Sequence, residues 1–143
     1  VKPFVIPSPS MEPTLVEGDR VLVNRMVYHF RAPQPGDVIV FHPPNTNSPD
    51  PFIKRVVAVG GDTIEVREGL LFVNGVAQAE PFIKEHPIAA DFPSERIPEG
   101  HVWAMGDNRN NSGDSRVFGP VSLDAIMGEA FIIYWPLGHL QRL

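Results

Sequence analysis

The chain has 143 residues, a length that fits one domain, so we expect residues 1–143 to fold as a single unit. Its 12 basic and 17 acidic side chains give a net charge of −5, which argues against nucleic acid as a partner, because phosphate binding needs a basic surface. With no cysteine and with 16 prolines and 12 glycines, the chain excludes disulfides and thiolate metal sites and disfavours long helices.

Short runs of β-branched and aromatic residues alternate with turn residues along the chain, a pattern that predicts strands. Asn74-Gly75 is typical of a hairpin turn. Only residues 122–127 are expected to hold a helical turn, with Ser122 as its N-cap. We therefore expect an all-β domain with very little helix, built as packed antiparallel sheets or a partly open barrel. The predicted strands are 20–24, 37–41, 52–59, 63–66, 70–73, 76–77, 101–105 and 128–135.

Two segments interrupt the strand pattern. Residues 42–51 form a Pro/Asn-rich loop, and residues 79–100 carry four prolines without a clean period, so we expect that segment to be an excursion over the surface. No apolar run approaches the roughly 18 residues of a membrane-spanning helix. The first residues have neither a start Met nor a signal-peptide pattern, and we expect them to follow a cut inside a longer protein.

Residues 6–15, IPSPSMEPTL, contain three prolines, which predict a stiff extended ribbon. On such a ribbon Ser8 and Ser10 point to the same side. A hydroxyl held in a fixed geometry suits a nucleophile. These residues alone are equally typical of a Pro/Ser-rich surface loop, which is the simpler interpretation.

Lys54 and Arg55 lie inside the apolar strand 52–59. Because side chains alternate along a strand, one of these two cations is placed among apolar neighbours. Burial lowers the pKa of a lysine, and a neutral lysine amine is a competent general base. The alternative is a lysine at an edge strand whose amine extends into solvent.

Residues 105–116, MGDNRNNSGDSR, combine Asp, Asn, Ser and Arg directly after a predicted strand. Such a segment can form a hydrogen-bond network that holds a neighbouring group in place. An ordinary polar turn and a calcium loop are the alternatives, although the Glu that closes a calcium loop is missing and the two arginines oppose a cation. The five histidines show no metal spacing, and none stands in a motif that indicates a Ser-His-Asp triad.

Taken together and in this order, residues 6–15, 36–41, 52–62 and 106–116 resemble the sequence boxes of type I signal peptidases. These are membrane-anchored serine proteases that remove signal peptides from exported proteins. The resemblance covers residues 3–132 and implies an all-β catalytic core with a Ser/Lys dyad and no metal or cofactor. It also implies a substrate that is cut after an Ala-X-Ala-like motif at the end of a signal peptide.

Residue by residue, the resemblance makes Ser10 the nucleophile and Lys54 the general base. It places the Ser8 hydroxyl and the Ser10 backbone N–H in the oxyanion hole. Ser112 matches a serine that hydrogen-bonds the lysine. Ile53 alternates away from Lys54, so it lines the cleft only if the strand bends or runs along the pocket wall. The other dyad-supporting residues are Asp114, Asp107 and Arg116, and the substrate-binding residues are Phe4, Ile6, Pro7, Met11, Leu15 and Ile53.

The resemblance further implies signal peptides of secreted preproteins and a membrane lipid surface as partners, with the catalytic domain on the extracytoplasmic side of a membrane. The membrane anchor of the family is absent from these residues, and Phe4, Ile6 and Trp135 are expected to form an apolar rim near the lipid. Residues 79–100 are too short for the second β-domain of some relatives. Two rival interpretations are a self-cleaving bacterial repressor, which also uses a Ser/Lys pair, and a β-barrel binding module without activity.

Overall fold

The computed structural model describes all 143 residues and consists of strands, one short α-helix and four single-turn 3-10 helices. None of its helices has the length and apolar character needed to cross a bilayer. The helix α1 is Ser115–Phe118, and the 3-10 turns are Pro9–Met11, Val27–His29, Leu123–Ala125 and Leu137–His139. The strands are β1 (Lys2–Val5), β2 (Arg20–Asn24), β3 (Val38–Phe41), β4 (Phe52–Val59), β5 (Thr63–Arg67), β6 (Leu70–Val73), β7 (Val76–Ala77), β8 (Phe92–Arg96), β9 (His101–Met105), β10 (Val121–Ser122), β11 (Ile126–Trp135) and β12 (Gln141–Arg142).

The strands form two antiparallel sheets. The large sheet has eight strands in the order β1-β2-β11-β3-β4-β9-β10, with β12 also paired to β11, and the small sheet has the order β7-β6-β5-β8. The large sheet forms a half-barrel, so the predicted all-β class and partly open barrel are confirmed.

The centre of the large sheet is covered on both faces, and all four residues of β3 are buried as a result. Val38 and Val40 pack into one apolar cluster together with residues of the N-terminal segment. Ile39 and Phe41 point the other way, into a second cluster that includes Phe118 of α1. The small sheet packs over a third cluster at β4 and β9. Burial on both faces explains why β3 and the second half of β4, residues 56–59, have continuous apolar sequences instead of alternating ones.

The pairing of β4 brings the functional segments to one place. β4 lies between β3 and β9, and Arg55 pairs with Met105, the last residue of β9. The polar segment that follows Met105 therefore emerges beside the strand that carries Lys54. Residues 6–15 follow β1 and bury Met11 and Leu15 in the same cluster as Ile53 of β4.

The structure corrects several of the predicted elements. Residues 79–100 do not form only an excursion, because they contain β8, which pairs with β5. β8 includes Pro93, as β1 includes Pro3, and each of these strands ends its sheet order, where a missing backbone N–H is tolerated. The helical turn expected at residues 122–127 exists only over Leu123–Ala125, with the Ser122 hydroxyl accepting the Asp124 N–H. The strand β10 and the helix α1 were not predicted.

Candidate active site

Ser10 lies in a 3-10 turn, not on an extended ribbon as the prolines predicted. The turn comprises Pro9–Met11 and begins after Ser8, whose hydroxyl accepts the Ser10 backbone N–H at 3.4 Å. Proline suits this turn as well as a ribbon, because its fixed φ occurs in both. The Ser8 hydroxyl also donates to Ser10 Oγ at 3.2 Å. The two hydroxyls are therefore brought together by the turn.

The side chain of Lys54 extends from β4 to the 3-10 turn Pro9–Met11, which carries the predicted nucleophile Ser10 and is called the nucleophile turn below. Its Nζ donates to Ser10 Oγ at 2.7 Å, and both residues are buried, with 8% of Ser10 and 5% of Lys54 exposed. Lys54 is separated from Ser10 by 44 positions in the sequence, so the pair depends on the fold. A hydroxyl in contact with a buried amine is the geometry of a nucleophile and its base.

The surroundings of Lys54 lower the pKa of its amine. Burial lowers the pKa of Lys54 to about 8; the negative charge of Asp114 opposes this effect, and the positive charge of Arg116 adds to it. Nζ also lies over the face of the Phe52 ring, 5.5 Å from its centroid, a contact that attracts the charged amine and opposes the effect of burial. A lysine with this pKa is neutral in about one molecule in ten at pH 7, against roughly one in 2,500 for a lysine in water.

Asp107 connects the nucleophile segment to β4. Its carboxylate is fully buried and accepts two hydrogen bonds from Arg55, at 2.9 and 2.8 Å. Thr14 donates to the same carboxylate at 2.6 Å. The bidentate pair fixes the geometry of both partners. Arg55, the second cation of β4, is thus a structural partner of Asp107 and does not reach solvent freely.

Asn108 holds the backbone of the nucleophile turn, a role that sequence reasoning missed. Its backbone N–H donates to the Ser10 carbonyl at 2.9 Å, and its side-chain amide donates to the Pro9 carbonyl at 3.0 Å. Gly106 leaves the space for this contact, since a Cβ there would meet the Ser10 carbonyl oxygen at 2.5 Å. In the sequence, the only indication of this role was that Gly106 and Asn108 lie inside the polar segment, residues 105–116.

Asp114 and Arg116 form the end of the polar segment. Asp114 is fully buried, caps α1, and accepts hydrogen bonds from the Arg116 guanidinium at 2.9 and 2.8 Å and from the Gly106 N–H at 3.0 Å. Burial alone raises the pKa of Asp114, but the hydrogen bonds and charge of Arg116 hold it below its usual range. The ionised carboxylate therefore lies behind the dyad together with its own counter-ion.

Ser112 is close to the turn but does not make the expected contact. Its Oγ is buried without a hydrogen-bond partner, so the bond to Lys54 that the family resemblance implies is absent from this structure. A Cβ on Gly106 would meet the Ser112 side chain, which places Ser112 against the loop that holds Ser10. Its role as a residue that orients Lys54 stays a prediction.

The dyad opens into a cleft of about 380 Å³. One wall is the start of β4, and the others come from the nucleophile segment, from loop residues 48–51 and from the polar segment. The cleft is open to solvent and its surface is more apolar than polar, which suits an extended peptide with small apolar side chains. Its lining residues are Pro7, Ser8, Pro9, Ser10, Ser48, Asp50, Pro51, Phe52, Ile53, Lys54, Asn111 and Gly113.

The predicted substrate-binding residues separate into two groups. Pro7 and Ile53 line the cleft, Ile53 because the cleft runs along the first three residues of β4. Ile6, Met11 and Leu15 are buried in the apolar cluster beneath it, and Phe4 packs against the same cluster. In this structure those four side chains support the walls from behind, and their contact with substrate stays a prediction.

The structure contains neither the calcium loop nor the Ser-His-Asp triad that were considered as alternatives. The carboxylates of Asp107 and Asp114 are each occupied by an arginine, which leaves no oxygen cage for calcium. No histidine lines the cleft or hydrogen-bonds Ser10, and His139 instead contacts Asp19 at 2.9 Å. The base within reach of Ser10 is Lys54.

A serine hydroxyl in contact with a buried lysine amine on one cleft of an all-β domain is the arrangement of a serine hydrolase that uses lysine as its base. The family model described as "Signal peptidase, peptidase S26" matches residues 1–135. The chain belongs to this signal peptidase family and is a serine endopeptidase by class. The non-enzymatic binding module and the self-cleaving repressor are thereby set aside.

Curated relatives and a solved structure agree with that assignment. The chain is 45% identical to probable signal peptidase I-1 of Synechocystis over 99% of this chain and 75% of the relative. It is 42% identical to thylakoidal processing peptidase 1 of Arabidopsis thaliana over 94% of this chain and 42% of that protein. The chain is 36% identical to signal peptidase IB of Staphylococcus aureus over 99% of this chain and 82% of the relative. The crystal structure of a signal peptidase I from Enterococcus faecalis superposes with a TM-score of 0.58 at 30% identity, over 69% of this chain and 97% of that one.

Proposed function

We propose that this chain removes N-terminal signal peptides from exported preproteins, cutting after an Ala-X-Ala-like motif with Ser10 as nucleophile and Lys54 as general base. The observation that carries the proposal is the 2.7 Å contact between two buried groups, Ser10 Oγ and Lys54 Nζ. The family membership supports the substrate class, and the open, largely apolar cleft beside Ser10 fits a peptide with small side chains near the cut.

The chemistry runs in two halves. In the first, Ser10 Oγ attacks the carbonyl carbon of the final Ala, and Lys54 Nζ takes the hydroxyl proton and passes it to the leaving amine as the peptide bond breaks. In the second, a water molecule attacks the carbonyl carbon of the Ser10 ester while Lys54 takes its proton, and Lys54 returns this proton to Ser10 Oγ as the ester bond breaks and the signal peptide leaves as a carboxylic acid. Asp107, Asp114, Arg116 and Asn108 act as positioning residues, since none of them touches the reacting atoms.

The negative oxygen that forms in each half needs two donors. The Ser10 N–H has no backbone acceptor and only the 3.4 Å contact to Ser8 Oγ, so it is available to the substrate. The Ser8 hydroxyl lines the cleft beside it and supplies the second donor. Donors held in place before the reaction stabilise the transition state without reorganisation.

The direct test is incubation of the chain, in detergent micelles, with a fluorogenic peptide that contains an Ala-X-Ala site. We expect cleavage after the final Ala, located by mass spectrometry of the two products. A peptide with Leu in place of both alanines is the matched control and should remain intact. Cleavage at unrelated positions, or equal cleavage of both peptides, would contradict the proposed specificity.

Ser8→Ala is expected to lower kcat/KM by about 10²–10³-fold, because one of the two oxyanion donors is lost. Ser8→Thr keeps a hydroxyl at the same atom and should retain most of the activity. Steady-state cleavage of the same peptide measures both variants. Rates for Ser8→Ala equal to those of the parent would remove Ser8 from the oxyanion hole.

The pH profile should follow the titration of Lys54. Because the neutral amine is the base and its pKa is about 8, kcat/KM should rise nearly tenfold per unit below pH 8 and level off above it. Arg116→Gln removes a positive charge that lowers this pKa, so its midpoint should move upward, whereas Arg116→Lys should leave it near the parent value. A profile without a rise between pH 6 and 8 would contradict Lys54 as the base.

A lipid surface is the second partner that we infer, with the chain acting on the extracytoplasmic side of a membrane, as befits a family that includes thylakoidal enzymes. Val5 on β1 and Trp135 on β11 both pair with Arg20 of β2, so they flank Arg20 at one end of the large sheet, and both are about half exposed. Leu137 and Leu140 extend this apolar rim. Ile6, which we expected in the rim, is buried.

A further inference from the structure

Asp50 places a carboxylate in the cleft that contains the Ser/Lys pair. Among the residues that line this cleft, only Asp50 and Lys54 have a side chain that carries a full charge. We propose that Asp50 selects preproteins with a lysine or arginine within about four residues of the cut, by forming an ion pair with that side chain. This inference rests on the proposed function, because it concerns the substrate of the same site.

The carboxylate of Asp50 has no partner within the chain. Asp50 is exposed, and its hydrogen bonds involve only its backbone: the Ser48 hydroxyl donates to the Asp50 carbonyl and accepts the Asp50 N–H, each at 3.3 Å. Pro51 also lines a small apolar cavity that includes Lys2 and Arg25, but neither cation forms an ion pair with Asp50. The carboxylate is therefore available to a bound peptide.

The backbone around Asp50 is restrained before any substrate arrives. Asp50 stands between Pro49 and Pro51, whose rings fix their own φ angles, and a proline also restricts the backbone of the residue before it. The two contacts with Ser48 hold the same turn. A charged group on a restrained backbone loses less entropy when it pairs than one on a mobile loop. Pairing with a substrate cation therefore costs little ordering of the enzyme.

The position of Asp50 sets the distance between the cut and the cation. The same cleft contains Ser10 and extends as far as Asp50, which precedes Lys54 by four residues. Four residues of extended chain span at most about 14 Å. A peptide bound in an extended conformation covers this distance with about four residues. The basic residue is therefore expected no farther than that from the scissile bond.

Asp50 lies outside the group that performs the chemistry. Asp114 and Arg116 are the charged residues that act on the pKa of Lys54, and the hydrogen bonds of Ser10 Oγ are to Ser8 and Lys54. An ion pair at Asp50 does not touch the reacting atoms, so it stabilises the bound substrate and the transition state equally. Its effect should therefore appear in KM, with kcat nearly unchanged.

The recognition motif leaves room for this selection. Ala-X-Ala constrains two residues, and both are small and uncharged, so the middle residue and the residues outside the motif can carry a charge. A lysine or arginine near Asp50 is attracted, and a glutamate or aspartate at the same position is repelled. Opposite charges in the substrate therefore change binding in opposite directions.

The test uses pairs of fluorogenic Ala-X-Ala peptides that differ only in a Lys or a Glu at one position. That position is moved from four residues before the cut to four residues after it, and both alanines are kept. At low salt we expect kcat/KM for the Lys peptide to exceed that for the Glu peptide by about 3–10-fold where the side chain meets Asp50. The ratio should decrease in about 0.5 M NaCl, because salt screens an exposed pair.

Variants of Asp50 assign the preference to its carboxylate. Asp50→Asn should bring the ratio close to one, and Asp50→Lys should invert it. Asp91→Lys is the matched control, since Asp91 is also exposed and the net charge changes equally, but Asp91 does not line the cleft. This control should keep the parent ratio. A ratio below about twofold at every position, or an equal ratio in the parent and in Asp50→Asn, would overturn the inference.

An uncharged peptide of the same series distinguishes this inference from the proposed function. If the chain cuts that peptide after its final Ala but no Lys/Glu pair shows a preference, the selection by Asp50 is wrong and the proposed function stands. If every peptide of the series remains intact, including the uncharged one, the proposed function fails, and the inference fails with it.

Discussion

Lys54→Met is expected to reduce peptide cleavage by more than about 10³-fold while leaving the fold intact. Methionine fills a similar space but has no amine, so Ser10 loses the group that takes its proton. Ser10→Ala should reduce cleavage to the same level, and the double variant should be no worse than either single one, because the two residues act as a unit. Steady-state rates with the fluorogenic peptide measure all three variants.

Thermal unfolding provides the control for this expectation. Replacing a buried amine by an apolar side chain removes a desolvated group, so the unfolding midpoint of Lys54→Met should be equal to or higher than that of the parent. Inactivity together with a retained midpoint assigns the loss to chemistry. A Lys54→Met chain that keeps a tenth or more of the parent rate would show that another base serves Ser10.

Glu80→Gln is expected to lower the free energy of unfolding by about 3–5 kcal/mol. The Glu80 carboxylate accepts two hydrogen bonds from Arg109, at 2.7 and 2.8 Å, so its replacement leaves the Arg109 charge buried without a charged partner. The side chains of the pair are 6% and 0% exposed, so water does not replace the lost carboxylate. Chemical denaturation with a linear extrapolation to zero denaturant measures the change.

Lys84→Gln is the matched control for this prediction. Lys84 lies in the same segment and pairs with Glu12 at 2.7 Å, but its side chain is 40% exposed. Pairs of that kind contribute about 0–1 kcal/mol. Replacing both Glu80 and Arg109 by methionine should recover much of the stability, since no unpaired charge remains. If Glu80→Gln lowers the free energy of unfolding by no more than Lys84→Gln does, the stabilising role of the Glu80–Arg109 pair is contradicted.

The parts of the fold and site that could be predicted from sequence are those that depend on local patterns. Strand periodicity and turn residues locate β2, β3, β4 and β6, because each is short and bounded by residues that end a strand. Ser10 and Lys54 could be singled out because each stands in an unusual setting, a proline-rich segment and an apolar strand. Their roles came from the family resemblance.

The parts that could not be predicted depend on register and on contacts between distant segments. The hydrogen bond from Asn108 to the Ser10 carbonyl spans 98 positions, and the Glu80–Arg109 pair spans 29. No sequence pattern states which of several polar residues will meet across such distances. The fixed φ of proline occurs in an extended ribbon and in a 3-10 turn alike. The predicted conformation around Ser10 was therefore wrong, although the residue itself was singled out.

The site depends on three distant parts of the chain, which has a consequence during protein synthesis. Of these residues Ser10 is made first, Lys54 follows 44 residues later, and Asn108 and Asp114, which contact the turn of Ser10 and the Gly106 backbone, are made last. A ribosome-bound chain that stops before this last segment has a serine and a lysine without the contacts that position them. The site is therefore expected to stay inactive until translation has passed Asp114.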